Sequence, residues 1–180
     1  MSKTILVLSG SPRKNGNTDK LVAAFREGAE STGNTIALFR VADMKIGACR
    51  ACEYCFKNNG NCIQKDDMAQ IIEVVKKADA IVWASPVYYY SVSAQLKLAI
   101  DRFYALVKEE KPIKRAALLL TCEDDSQEAF EGAIASFNET VGYHDWENVG
   151  IVTVTGLKHV DDIVKCVVEL EKARQLGREM

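Results

Sequence analysis

Four cysteines fall within fourteen residues, Cys49, Cys52, Cys55 and Cys62, in a C-x2-C-x2-C-x6-C run. Thiolates are soft ligands, and four of them on one short segment form a donor set that suits an iron–sulfur cluster. Three thiols at steps of three match the spacing in which neighbouring cysteines take three corners of a cubane while the fourth comes from elsewhere. Between Cys55 and Cys62 lie six residues including Gly60, enough for the chain to swing round to the last corner. Zinc is the main alternative, although its structural sites usually pair two knuckles separated by roughly a dozen residues or more. A metal-free thiol set is the other. Of the remaining cysteines, Cys166 reads as core filler on a helical stripe, and Cys122 as a buried thiol that could flank a ligand site.

A second constellation follows the first apolar run: Ser9-Gly10-Ser11-Pro12-Arg13-Lys14-Asn15-Gly16-Asn17-Thr18, then a helical pattern. Glycines permit a tight turn, and Ser9, Ser11, Asn15, Asn17 and Thr18 bring short polar side chains. Free N–H groups at the following helix start favour an anion, and Arg13 adds a planar, permanently charged fork suited to phosphate oxygens. The loop carries neither G-x-G-x-x-G nor G-x-x-x-x-G-K-[ST], so the dinucleotide and ATPase fingerprints are absent. A third segment, Ser85-Pro86-Val87-Tyr88-Tyr89-Tyr90-Ser91-Val92-Ser93, supplies aromatic rings and backbone amides that can stack on or edge a flat heterocycle. Tyr88 and Tyr89 are the rings expected at such a ligand.

The elements that must position these groups are visible as five apolar runs, at 4–8, 35–39, 80–84, 116–121 and 150–155. Between them run stripes of helical period, for example Leu21, Phe25 and Ala29, or Met68, Ile71, Ile72 and Val75. The last stripe is Ile163, Cys166, Val167 and Leu170. Strands that dispense with polar alternation are buried on both faces, which predicts an α/β fold with a five-stranded parallel sheet and helices on both sides. Thr18, Asp66 or Asp67, Ser93, Ser126 and Asp161 are the expected helix caps. In strand order 2-1-3-4-5, the loops after the first and third strands meet where the winding reverses. Both would then face one ligand, a mononucleotide with a large aromatic head, and flavin mononucleotide (FMN) fits. The irregular stretch from about 45 to 65 is too long for an ordinary connection, which marks the cysteine run as a functional insert.

A chain of 180 residues with 48% hydrophobic content suits one domain over residues 1–180. Its net charge of −2, with both signs interspersed, offers no stripe for nucleic acid and no polybasic face for a membrane. Only Met1, Ser2 and Lys3 precede the first strand, so no targeting segment is expected and the compartment is read as cytoplasmic. Thiols stay reduced there, which argues against a disulfide framework. His144 and His159 are isolated, and neither a G-x-S-x-G elbow nor an H-E-x-x-H helix is present.

Taken in order, Gly10-Ser11-Pro12-Arg13 with Asn17-Thr18, the run Cys49 to Cys62 followed by Asp66-Asp67-Met68, and Ser85-Pro86-Val87-Tyr88 leading to Ser93-Ala94-Gln95-Leu96-Lys97 and Asp101-Arg102 resemble the NADPH-dependent FMN reductase-like flavoproteins. Within that group the chain is most similar to the iron–sulfur flavoproteins. The resemblance implies a flavodoxin-like fold and FMN held by the loops after the first and third strands. It also implies a [4Fe-4S] cluster on the cysteine run, near the flavin of a neighbouring subunit in a homodimer or homotetramer. The activity implied is FMN-dependent oxidoreduction or electron transfer, with electrons exchanged with NAD(P)H or a redox protein such as ferredoxin and with a small-molecule acceptor. One departure stands out: where many such reductases carry a glycine-rich loop, this chain has Thr121-Cys122-Glu123-Asp124-Asp125-Ser126, whose charge would repel a pyrophosphate. The alternatives are an NAD(P)H-dependent FMN or quinone reductase without a cluster and a non-catalytic flavin- or metal-binding redox sensor.

Overall fold

The computed structural model describes residues 2–108 and 112–180. Five long strands, β1 (Thr4–Ser9), β2 (Thr35–Arg40), β3 (Ala80–Tyr88), β5 (Arg115–Thr121) and β6 (Glu147–Val154), pair in parallel in the order β2-β1-β3-β5-β6. A two-residue strand, β4 (Ser91–Val92), folds back antiparallel on the end of β3. Counting only the long strands, this is the flavodoxin-like order expected from the sequence. The sixth strand was hidden because Ser91 and Val92 are too short a segment to carry a period.

The helices are α1 (Asn17–Ser31), α2 (Met68–Val75), α3 (Ala94–Arg102), α4 (Glu131–Tyr143) and α5 (Val167–Glu179). Successive side chains of a strand face opposite ways, so Ile5 and Val7 join one core layer and Leu6 and Leu8 the other. The first layer packs α1 and α5 against the sheet, and the second packs α2, α3 and α4. Right-handed crossovers require this division: the chain steps from β1 one way to β2, then the other way through β3, β5 and β6. The central strands β1, β3 and β5 are buried almost throughout their sheet-forming lengths, whereas β2 at the edge has no buried residue.

On α1 and α5 the two backbones touch. A Cβ on Gly28 would stand 1.9 Å from the Arg174 carbonyl oxygen, and one on Gly177 would stand 2.1 Å from that of Phe25. The side of α5 facing the core is Ala173, Leu176 and Gly177. Val167 is 66% exposed, which corrects the stripe read from the sequence. The helical run breaks at Cys166, where a 3-10 turn over Asp162–Lys165 ends, so Ile163 and Val167 lie on different elements. Cys166 is half-buried beside the α1/α5 layer.

Ser93 caps α3 by accepting the Leu96 N–H, and Ser126 caps a short turn before α4 by accepting the Glu128 N–H. Asp66 accepts the Met68 N–H at the start of α2. Thr18 and Asp161 do not cap: α1 begins one residue earlier behind Gly16, and Asp161 is in the left-handed region before a 3-10 turn. Among the described residues no helix is long and apolar enough to cross a membrane.

Candidate functional site

At the carboxyl ends of β1 and β3 the two loops singled out in the sequence lie side by side, because Ser9 pairs with Ala84 in the sheet. Buried hydrogen bonds fasten them. The Gly10 N–H donates to the Ala84 carbonyl at 2.8 Å. The Ser93 hydroxyl donates to the Gly10 carbonyl at 2.8 Å, and the Ser93 N–H donates to Ser85 Oγ at 2.8 Å. Ser85 in turn donates to the Pro86 carbonyl at 2.8 Å. Gly10 has no room for a side chain, since a Cβ there would sit 2.4 Å from Ser93 Oγ.

Between the loops opens a cavity of about 140 Å³. Ser11, Arg13, Asn17 and Thr18 line it from the first loop, and Pro86, Val87 and Tyr88 from the end of β3. The α1 N-terminus beside it follows Gly16 with no side-chain cap, which leaves its first N–H groups and the positive end of its dipole for an anion. Arg13 is exposed at the rim. Behind the loop Arg40 donates to the Ser11 carbonyl at 3.2 Å and pairs with Asp19. Burial alone would lower the Arg40 guanidinium, but its bonds to Asp19 and Asp43 outweigh this and raise it.

The other residues expected here have different positions. Ser9 and Ser85 are buried and bonded within the protein, so they brace the loops from beneath. Asn15 adopts φ 56° and donates its N–H to Asp19. The side chain of Asn17 ties the loop after β6 to the site, donating to the His159 carbonyl at 2.9 Å and accepting the Ile163 N–H at 3.3 Å. The Thr18 hydroxyl meets that of Thr121 at 2.8 Å in a buried pair. Tyr88 is 44% exposed at the cavity wall, whereas Tyr89 is 99% exposed and outside it, at a left-handed turn shared with Tyr90.

Thr121, Cys122, Glu123 and Leu157 complete the lining. Thr121 and Glu123 follow from topology, since β5 is the next strand to β3; Leu157 carries no sequence signal. Cys122 is buried, and burial with the nearby Asp124 charge pushes its thiol up, so it remains protonated.

The cysteine insert is closed at its neck by a ladder of polar contacts. Lys45 and Asp67 exchange bonds through the Lys45 N–H to the Asp67 carboxylate at 2.7 Å and the Asp67 N–H to the Lys45 carbonyl at 3.1 Å. The Gly47 N–H donates to Asp66 at 2.9 Å, and Gln64 donates to the Ala48 carbonyl at 3.0 Å. Arg102, from the end of α3, lies across both sides of the neck: it donates to Asp66 at 2.7 and 3.1 Å and to the Gly47 carbonyl at 2.8 Å. Burial alone would raise the Asp66 carboxyl, but the bonds from Arg102 and the Gly47 N–H outweigh it and hold the carboxyl below its ordinary range.

Within the insert Ala51, Glu53 and Asn59 sit in the left-handed region, alternating chain direction between the cysteines. Cys49, Cys52, Cys55 and Cys62 all line one small cavity of about 20 Å³. Burial pushes the Cys55 thiol up. Among the described residues no group of three or more His, Cys, Asp or Glu side chains is gathered for a single metal ion.

Comparison with known proteins converges on one family. The family pattern described as NADPH-dependent FMN reductase matches residues 4–145. An iron-sulfur flavoprotein of Archaeoglobus fulgidus is 41% identical over 93 residues, which is 52% of this chain and 42% of that protein. The iron-sulfur flavoprotein of Methanosarcina thermophila is 30% identical over 158 residues, 87% of this chain and 79% of its own. The chain spans about half the length of several curated relatives it matches. Among solved structures, an NAD(P)H:quinone oxidoreductase from Methanothermobacter marburgensis has the same fold, with a TM-score of 0.75 at 20% identity over 99% of this chain and 96% of that one.

Proposed function

The chain belongs to the NADPH-dependent FMN reductase family, and from that premise we propose that it is an FMN-dependent oxidoreductase whose cysteine insert carries a [4Fe-4S] cluster. One observation carries the flavin half of the reading: an uncapped helix N-terminus, Arg13 and the Pro86–Tyr88 segment converge on one cavity. The α1 N–H groups with Ser11 and Arg13 would hold the phosphate, and Asn17 and Thr18 would shape its cradle through their bonds to the β6 loop and Thr121. At about 140 Å³ the cavity is smaller than the roughly 300–1,000 Å³ of an enclosed ligand pocket, so the ring would lie toward the open side, edged by Pro86, Val87 and Tyr88. Bound flavin accepts a hydride or an electron pair and returns electrons singly or in pairs, which explains why the protein needs no acid–base constellation of its own. Residues 1–180 then act as one flavin-binding domain.

The cluster half rests on the donor set. All four thiols line one cavity, and the names of the iron-sulfur flavoprotein relatives support the same assignment. Glu123 at the flavin cavity, with Asp124 beyond it, opposes the phosphates of a nicotinamide nucleotide, while Asp125 is paired with Lys158 at 3.1 Å. The family supports NAD(P)H as the electron partner, and this acidity leaves a redox protein such as ferredoxin as the alternative. Tyr89 and Tyr90, exposed beside the open cavity, are suited to contact with a second copy in a homodimer or homotetramer.

Anaerobic purification followed by assay of iron, acid-labile sulfide and FMN tests both halves. The expected product is yellow-brown, with one flavin and about four iron and four sulfide per chain. Cys52→Ser should lose the iron and keep the flavin. Colourless protein that cannot be loaded with FMN refutes the flavin site, and flavin without iron or sulfide refutes the cluster.

A further inference from the structure

A buried cation with an unused donor stands at the wall of the cysteine cavity. The Arg102 side chain is only 1% exposed. Its Nη1 and Nη2 are committed to Asp66 and the Gly47 carbonyl, which leaves Nε buried with no hydrogen-bond partner among the described residues. An orphaned donor on a permanent charge is among the least favourable things a protein interior can hold. A lysine would give Asp66 a cation with no surplus donor, so the neck of the insert does not by itself call for arginine. The cavity offers acceptors: Arg102 lines it together with Cys49, Cys52, Cys55 and Cys62, and while burial opposes the guanidinium's charge, Asp66 first and the neighbouring Cys62 next favour it. Arg50 lines it too, but its side chain is exposed and screened by water.

Building on the cluster assignment above, we infer that Arg102 is a positioning residue for the four-thiolate site, its Nε–H donating to Cys62 Sγ. The Asp66 carboxylate and Gly47 carbonyl fix the plane of the guanidinium, so the remaining edge is held toward sulfur without further loss of rotamer freedom. Donors and positive charge at cluster sulfur favour the more negative, reduced state and raise its potential. Arg102 thus does two things at once: it bolts the two sides of the neck together and sets how readily the cluster accepts an electron.

The test is reconstitution of the full chain with ferrous iron and sulfide under anaerobic conditions, followed by dithionite titration monitored by electron paramagnetic resonance. The wild type is compared with Arg102→Lys and with the double variant D66N/R102Q, which removes the buried charges as a pair and so preserves the neck. Retained FMN and an unchanged circular dichroism spectrum report folding. Both variants should bind iron as the wild type does. The double variant should shift the reduction equilibrium about tenfold toward the oxidised cluster, about 59 mV for one electron, and Arg102→Lys by less in the same direction. Full iron in all three proteins at one shared potential overturns the role of Arg102 and leaves the cluster standing. A wild type that takes up no iron overturns the cluster assignment and this inference with it.

Discussion

Replacing Ser93 by alanine should loosen both loops of the candidate flavin site at once, although Ser93 does not line the cavity. Its hydroxyl donates to the Gly10 carbonyl at 2.8 Å and accepts the Leu96 N–H at 3.3 Å, so one atom joins the loop after β1 to the start of α3. Loss of the cap costs about 1 kcal/mol. The Gly10 carbonyl, left without its donor in a buried setting, adds roughly 1–3 kcal/mol. The expected loss of stability is thus about 2–4 kcal/mol, measured by urea unfolding, with weaker FMN binding measured by titration of the flavin-free protein. Gly10→Ala gives an independent handle, because its Cβ would lie 2.4 Å from Ser93 Oγ and 2.7 Å from Leu96 Cβ. Removing the Ser93 hydroxyl relieves the nearer clash, so the two substitutions should couple by at least about 0.5 kcal/mol in a double-mutant cycle. A Ser93→Ala protein within about 0.5 kcal/mol of the wild type, with unchanged flavin affinity, refutes the idea that this residue holds the two loops together.

Arg13→Ala should weaken FMN binding about tenfold, since an exposed guanidinium at the cavity rim contributes at the low end of a charge-assisted bond, about 1.5 kcal/mol; the gap should narrow as salt is raised, and an unchanged dissociation constant at low salt would remove Arg13 from the phosphate site. Asp66→Asn should destabilise the metal-free protein near neutral pH by up to about 3–5 kcal/mol, because it leaves the buried Arg102 charge unpaired. The Asp66 carboxyl is lowered in the folded state, so its stabilisation is complete above the unfolded carboxylate value of about 3.9 and is lost as pH falls through the folded one. Unfolding curves of wild type and variant should therefore converge in acid, and a gap that stays constant with pH contradicts the pairing.

Much of the candidate site was legible because it depends on local chemistry. The cysteine spacing, the run of small polar residues from Ser9 to Thr18 and the proline-tyrosine loop each name their chemistry from neighbours a few residues apart. The residues that escaped act through contacts distant in the chain. Arg102 is 36 positions from Asp66, and Thr121 meets Thr18 across 103 positions. Tyr89 looked equivalent to Tyr88 in sequence, but the left-handed turn at Tyr89 and Tyr90 that begins β4 turns the second ring outward. Likewise the stripe through Val167 assumed one continuous helix, and the break at Cys166 rotated that residue into solvent.

Residue order alone determined the alternation of apolar strands and amphipathic helices, and with it a parallel sheet wound on both faces, because burial of each period leaves no other way to cover the strands. It also singled out candidate segments for phosphate, a flat ring or a metal, since ligand chemistry belongs to side-chain type. Only the tertiary structure decided which of those segments meet. The adjacency of β1 and β3, the Ser93 bond between their loops and the Arg102 bridge over the insert are set by crossover handedness and by the need to satisfy buried donors, and neither is written in any short stretch of sequence.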